Sequence, residues 1–234
     1  MPFYAFDGER FIYAPDASGQ KKYSCLECKG LLKLRKGQVN FPHFYHVKTS
    51  PSCRLHGKGD DHLRLQLHLQ QKFPEKEAFL EFPFFSIHRI ADLVWEPPKI
   101  VFEIQCSPLK LSEAKGRVFD YGSLGYQVVW LLDDRLFNQK IIGEAEMFCR
   151  SHKAYFVSFS KELIYDQVEE IREGRRLRKS GKFPVDLARP LGAGFAGDAG
   201  ALRAAPLPEK KGKFFNTMVA KPYLKALKWL LSKV

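Results

Sequence analysis

Two acidic residues stand inside short apolar runs that a tight turn folds back on one another, and few arrangements tolerate that. Arg89-Ile90-Ala91-Asp92-Leu93-Val94-Trp95 reads as a buried strand. Glu96-Pro97-Pro98-Lys99 is a turn, because proline fixes φ and removes a ladder donor. Ile100-Val101-Phe102-Glu103-Ile104-Gln105-Cys106 is a second strand, and its period-2 alternation puts Glu103 and Gln105 on one face, Phe102 and Ile104 on the other. A carboxylate in an apolar strand is costly unless positive charge compensates it. Two of them on paired strands are best explained by a shared divalent cation, Mg²⁺ or Mn²⁺, which takes carboxylate oxygens as ligands. A structural, salt-bridged pair is the competing explanation. On the metal reading, removing either carboxylate from the empty site relieves repulsion, so stability without metal should hold or rise.

The surrounding pattern is mixed. Asp60 or Asp61 caps a helix to about Phe73, where Pro74 stops it. A strand at 78–87 broken by Pro83, strands at 89–95 and 100–106, a helix at 112–124 and a strand at 126–132 follow, giving the order αβββαβ. A helix between the last two strands permits a parallel pair. Further on, 137–150 reads as helix, 154–159 as strand and 161–179 as helix. Upstream, Phe3–Phe6 and Arg10–Tyr13 flank Asp7-Gly8, a hairpin signal. Leu31–Leu34 is a strand, and Lys36-Gly37 turns the chain into Gln38–Phe41, which ends at Pro42-His43. The expected division is a small β unit at 1–58, a core at 59–134, an α/β extension at 135–184, a Gly-, Ala- and Pro-rich flexible linker at 185–213, and a basic amphipathic helix at 214–234.

Cys25-x2-Cys28-x14-His43-x2-His46 has ligand types and spacing suited to tetrahedral zinc, and Cys53-x2-His56 offers alternates for either histidine. Such a unit has little core of its own, so metal ligation would supply much of its folding energy. The competing reading packs His43 and His46 among Phe41, Phe44 and Tyr45 and leaves the cysteines free. Five cysteines, two of them in a Cys-x2-Cys pair, suit a reducing compartment better than a disulfide framework. No apolar run is long enough to span a bilayer, and the amino terminus lacks the basic start and apolar stretch of a secretory signal, so a cytoplasmic location is expected.

Charge is unevenly placed. Of the formal +12, residues 172–234 carry +11, from 15 Lys or Arg against four acids. A near-neutral body with a cationic end points to a polyanion, either nucleic acid or an anionic membrane surface, unless the basic end only aids solubility. Arg172, Arg175, Arg176, Arg178, Lys179, Lys221, Lys225 and Lys228 are the expected phosphate contacts. The last helix, with Val219, Tyr223 and Leu227 on its apolar face, is expected to dock on the body or on a partner.

Asp92 with Glu103-x-Gln105 forms the D…E-x-K arrangement of metal-dependent nucleases, with glutamine in the lysine place. Arg117 and Tyr121 lie one turn apart on the helix that follows, and the Cys pair and Pro42-His43-Phe44-x-His46 lie upstream. Together these residues resemble the competence protein CoiA family over roughly residues 3–133. The resemblance implies a PD-(D/E)XK restriction-endonuclease-like α/β core behind a zinc-ribbon-like β unit, and a Mg²⁺- or Mn²⁺-dependent deoxyribonuclease that handles incoming DNA during natural transformation. It implies glutamine at position 105, puts Arg117 and Tyr121 near the active site, and implies recombination or uptake proteins as partners of the last helix. A Glu-His pair of relatives reads Asp61-His62 here; Asp61 either joins the metal site or caps the helix, and His62 either contacts phosphate or packs in the core. Two other functions stay open: a DNA-binding module with weak or lost catalysis, and a basic component of membrane-associated uptake machinery.

Overall fold

The computed structural model describes residues 2–19, 21–38, 41–48, 53, 55, 58–74, 77–96, 98–167, 169–172, 176–179 and 181–187. They fall into two compact units that divide after residue 63.

The first unit is a five-stranded antiparallel sheet. Strands β1 (Tyr4–Asp7), β2 (Arg10–Tyr13), β3 (Tyr23–Ser24), β4 (Leu31–Arg35) and β5 (His43–His46) lie in the order β2-β1-β3-β4-β5. Gly8, at φ +63°, supplies the left-handed residue of the β1–β2 turn. Aromatic rings fill the interior: Tyr23 sits 4.9 Å from Phe44, Tyr4 4.9 Å from Tyr13, and Phe3 meets Phe41 edge-on at 5.3 Å. The unit therefore has a larger core than a bare ββ hairpin. The fifth strand is the His-Phe-x-His segment, His43–His46. Phe44 explains the choice, since it is fully buried opposite Leu34.

The second unit is a seven-stranded sheet with helices. Its elements begin with α1 (Asp60–Gln70), whose residues from Arg64 on belong here, then β6 (Ala78–Phe84), β7 (Arg89–Trp95), β8 (Ile100–Gln105), α2 (Leu111–Ser123) and β9 (Gln127–Asp133). The αβββαβ order is the one the sequence predicts. Next come α3 (Glu144–Ser151), β10 (Ala154–Ser158), β11 (Leu163–Asp166) and β14 (Phe183–Pro184), which extend the same sheet to β14-β11-β10-β9-β8-β7-β6. Strands β8, β9 and β10 are parallel, and the β6–β7–β8 meander is antiparallel. Strands β10, β11 and β14 thus add to the sheet of the core. Strand β6 runs through Pro83, contrary to the expected break; β6 is the sheet edge, where a missing N–H costs no ladder bond. Residues 65–69 of α1 are all buried, so this helix has no solvent face there.

Two helix expectations fail. The described residues within 161–179 form β11 and an antiparallel pair of β12 (Glu169–Arg172) and β13 (Arg176–Lys179), because Ile164 and Tyr165 pair with β10 and tertiary pairing overrides helix propensity. Arg172, Arg176, Arg178 and Lys179 therefore lie on strands, not on a helix. Only the end of 137–150 is helical: Asn138 is left-handed at φ +61° and is held by Tyr165 and Gln167, and Gly143 starts α3. Arg175, the linker from residue 188 and the 214–234 helix with Lys221, Lys225 and Lys228 lie outside the described residues. Among the described residues no helix is long and apolar enough to cross a membrane.

Burial and Lys72 lower His68, on α1, from 6.5 to about 4. The unfolded chain takes up that proton near pH 6.5 and the folded chain only near 4. Stability should be full above pH 6.5 and fall towards pH 4, by at most about 1.4 kcal/mol per pH unit. Urea titrations at pH 7 and pH 5 check this, and His68→Gln should shrink the difference between them.

Candidate functional site

Strands β7 and β8 stop pairing where their carboxylates begin. The register runs Trp95↔Ile100, Val94↔Val101 and Leu93↔Phe102, and the next positions are Asp92 and Glu103. Both are buried. Instead of a ladder bond, the Ile104 amide donates to Asp92 Oδ2 at 2.8 Å. On the other side, β6 pairs through Leu80↔Leu93 and Phe82↔Ala91, so Glu81 stands opposite Asp92 without a ladder bridge. Glu81 is 0% exposed and its φ is +46°, a left-handed conformation rarely adopted by a residue with a Cβ. The Asp92 carbonyl receives Gln66 Nε2 from α1 at 2.8 Å.

Helix α2 covers Glu103. Arg117 Nη1 donates to Oε2 at 2.5 Å and the Tyr121 hydroxyl to Oε1 at 2.7 Å. The sequence predicted that Arg117 and Tyr121 face the same way, and one carboxylate receives both. Burial opposes the Arg117 charge, yet Glu103, Glu113 and Asp92 together hold its proton more firmly than usual. Burial, with the Glu103 charge, pushes the Tyr121 phenol well above its usual range, which keeps it a donor. Arg117 Nε also reaches Glu113, as does Arg89 Nη1, and Arg89 Nε reaches Asp120 at 2.7 Å. Gly116 leaves room for this: a Cβ there would stand 3.0 Å from Arg89 Nη2.

Gln105 is buried on the same strand, but its amide donates to Ser107 O at 2.7 Å and Ser107 Oγ at 3.0 Å. Asp61 and His62 lie in the first turn of α1, with His62 buried. Glu81, Gln66, Glu113 and Arg89 are further residues here, absent from the expected set. Glu81 carried the signal that marked Asp92, an acid within an apolar run (Phe79-Leu80-Glu81-Phe82); the others depend on tertiary contacts.

In the first unit, Cys25, Cys28, His46 and Cys53 bring their ligand atoms within 4.8 Å of one another. The Cys25–Cys53 sulfurs are 3.7 Å apart, and His46 Nε2 lies 3.4 Å from Cys28 Sγ and 3.5 Å from Cys53 Sγ. A tetrahedron with Zn–S of about 2.3 Å and Zn–N of about 2.0 Å has edges of about 3.5–3.8 Å. The four residues are therefore spaced to hold a zinc ion. The Cys25-x2-Cys28 turn is a knuckle closed by Lys29 N to Cys25 O and Cys25 N to Gly30 O, with Lys29 left-handed at φ +58°. Burial pushes the Cys25 and Cys53 thiols up, so a cation is what would favour their thiolates.

His43 is not part of the cluster, contrary to the expected Cys25, Cys28, His43, His46 set; the alternate Cys53 takes its place. Both histidines lie within β5, where a spacing of three puts them on opposite faces. His43 is buried, its Nδ1 donates to Phe41 O at 2.8 Å, and burial lowers its pKa. His56 lies outside the described residues.

A sheet with a buried carboxylate pair under an Arg–Tyr helix, joined to a unit with a Cys₃His cluster, is matched by two family models. One is Competence protein CoiA, N-terminal domain, over residues 14–56; the other is Competence protein CoiA, nuclease-like domain, over residues 55–166. The chain belongs to the competence protein CoiA family. Comparison with curated proteins and with solved structures returns no match.

Proposed function

We propose that the second unit is a PD-(D/E)XK-type, metal-dependent nuclease core that processes DNA in competence, and that the first unit is a zinc-stabilised accessory. The observation that carries this reading is the adjacency of Asp92 and Glu103 at the point where β7 and β8 part, beneath Arg117 and Tyr121. The donor set fits a hard cation, with carboxylate oxygens and no sulfur or imidazole among them. Among the described residues Gln66 Oε1 is a buried acceptor with no hydrogen-bond partner, next to the Asp92 main chain, and a metal-bound water is a donor of the kind it lacks.

Asp92 and Glu103 would hold Mg²⁺ or Mn²⁺, which when bound polarises a phosphodiester and acidifies water. The Asp92 carboxylate is oriented by the Ile104 amide and its backbone by Gln66. Arg117 offers a fork for a phosphate oxygen at the rim of the pair. Tyr121 orients Glu103 and remains a neutral donor. Gln105 supplies no charge, and its amide is engaged by Ser107. That engagement favours a second reading, in which the fold binds DNA with weak catalysis.

One assay separates the two. The purified full chain is incubated with single- and double-stranded DNA in Mg²⁺, in Mn²⁺ and in EDTA. Cleavage with either metal, abolished by EDTA, is expected. DNA binding without cleavage under any of these conditions would overturn the nuclease reading and leave the binding module.

A further inference from the structure

Both oxygens of Glu103 are engaged by donors. Oε2 receives the Arg117 guanidinium and Oε1 the Tyr121 phenol. Arg117 is shared between two carboxylates of different exposure: Glu103, whose side chain is 3% exposed, and Glu113, one helical turn away, whose side chain is 35% exposed. The Glu113 oxygen that receives Arg117 Nε at 2.9 Å also receives Arg89 Nη1 at 2.8 Å. A second carboxylate therefore stands ready, fixed by its own cation, at the outer end of the same guanidinium.

Each Glu103 oxygen keeps a second lone pair, so a divalent ion that ligates Glu103 would share the carboxylate with these donors. A dication and a guanidinium on one carboxylate repel each other, whereas a neutral phenol does not carry that penalty. Resting on the metal-site reading, we propose that Arg117 is a resident cation of the carboxylate pair that exchanges with the incoming metal, and that Glu113, held by Arg89, is the positioning residue that receives it. The movement is short, since Arg117 Nε is already on Glu113 and only the Nη1 contact has to break. Glu103 is thereby compensated in both states, by guanidinium before metal binds and by metal afterwards, so the buried carboxylate never stands uncompensated. The displaced guanidinium stays at the rim of the site, where a phosphate would approach the metal.

The exchange gives two variants opposite effects on metal affinity. Mn²⁺ is titrated into the full chain without DNA, and free ion is followed by its electron paramagnetic resonance signal. Arg117→Met removes the competitor and should tighten Mn²⁺ binding on the order of tenfold, the scale of a single buried charge pair. Glu113→Gln removes the receiving carboxylate, leaves Arg117 leaning on Glu103 alone and should weaken binding several-fold. Equal or weaker binding by a folded Arg117→Met, or unchanged binding by Glu113→Gln, would overturn the exchange. Glu113 is partly exposed, so that second arm remains readable if Arg117→Met unfolds. Asp92→Asn is the control for the underlying site: wild-type binding that survives it unchanged puts Mn²⁺ elsewhere and defeats the metal reading itself, whereas its loss there with no effect of the other two variants defeats only the exchange.

Discussion

Asp92→Asn and Glu103→Gln should each lower divalent-dependent DNA cleavage by the full chain by about a thousandfold or more, the equivalent of about 4 kcal/mol of transition-state stabilisation. Each removes one of the two anionic ligands, and no other cation in the pair can activate water in the metal's place. Gln105→Ala should stay within about tenfold of wild type, because its amide serves Ser107 and carries no charge. Denaturation without metal distinguishes the two carboxylates. Asn at position 92 still presents an oxygen to the Ile104 amide, so its stability should be close to wild type. Gln at position 103 leaves the largely buried Arg117 with Glu113 alone, and should destabilise by about 1–3 kcal/mol. This reverses the expectation drawn from the paired carboxylates alone, that removing either would relieve repulsion. That expectation lacked the counter-ion α2 supplies. Full cleavage by either variant would defeat the nuclease assignment, and an undiminished stability of Glu103→Gln would show that the Arg117 pair contributes nothing net.

The second large effect concerns the Cys₃His cluster. Chain purified anaerobically should carry about one equivalent of zinc by elemental analysis, and Cys53→Ser or Cys25→Ser should lose it. Structural zinc contributes apparent binding free energies of about 10–16 kcal/mol in small finger peptides at neutral pH. The five-stranded sheet has an aromatic core of its own, so the loss here should be smaller. It should still show as a lower melting transition for the first unit and faster amide exchange around residues 23–35 and 43–46. His43→Gln is the discriminating arm. It should keep its zinc, because His43 points away from the cluster on β5. Zinc lost from His43→Gln but kept by Cys53→Ser would restore the ligand set expected from the Cys-x2-Cys and His-x2-His spacing.

The αβββαβ order was readable because each element carried a strong local mark: Pro74 after α1, the Pro-Pro turn between β7 and β8, and apolar runs of strand length. Legibility failed where tertiary pairing outweighed local preference. Leu163–Asp166 becomes a strand because β10 offers it an edge, and nothing within the segment announces that edge. Pro83 looked like a break because a sequence does not say which strand lies outermost. His43 looked like a ligand because its spacing to His46 was read as a loop after a strand; once both residues are strand, the same spacing separates them. In the candidate site, Asp92, Glu103, Arg117 and Tyr121 were legible from pattern. The Arg89–Glu113–Arg117 relay was not, since it joins β7 to α2 across 24 residues for one contact and four for the next.

Glu81 sets the requirements of this sheet against one another. A left-handed backbone at a residue with a Cβ costs about 1–2 kcal/mol that glycine would not incur. Selection on stability alone, as in a library screened by heat or protease, should therefore drift away from glutamate at position 81 before touching its apolar neighbours Leu80 and Phe82. Selection on DNA processing, if Glu81 tunes the charge opposite Asp92, should hold it in place. Passing one library through both screens would make the fate of this single codon a record of which pressure had acted on the strand.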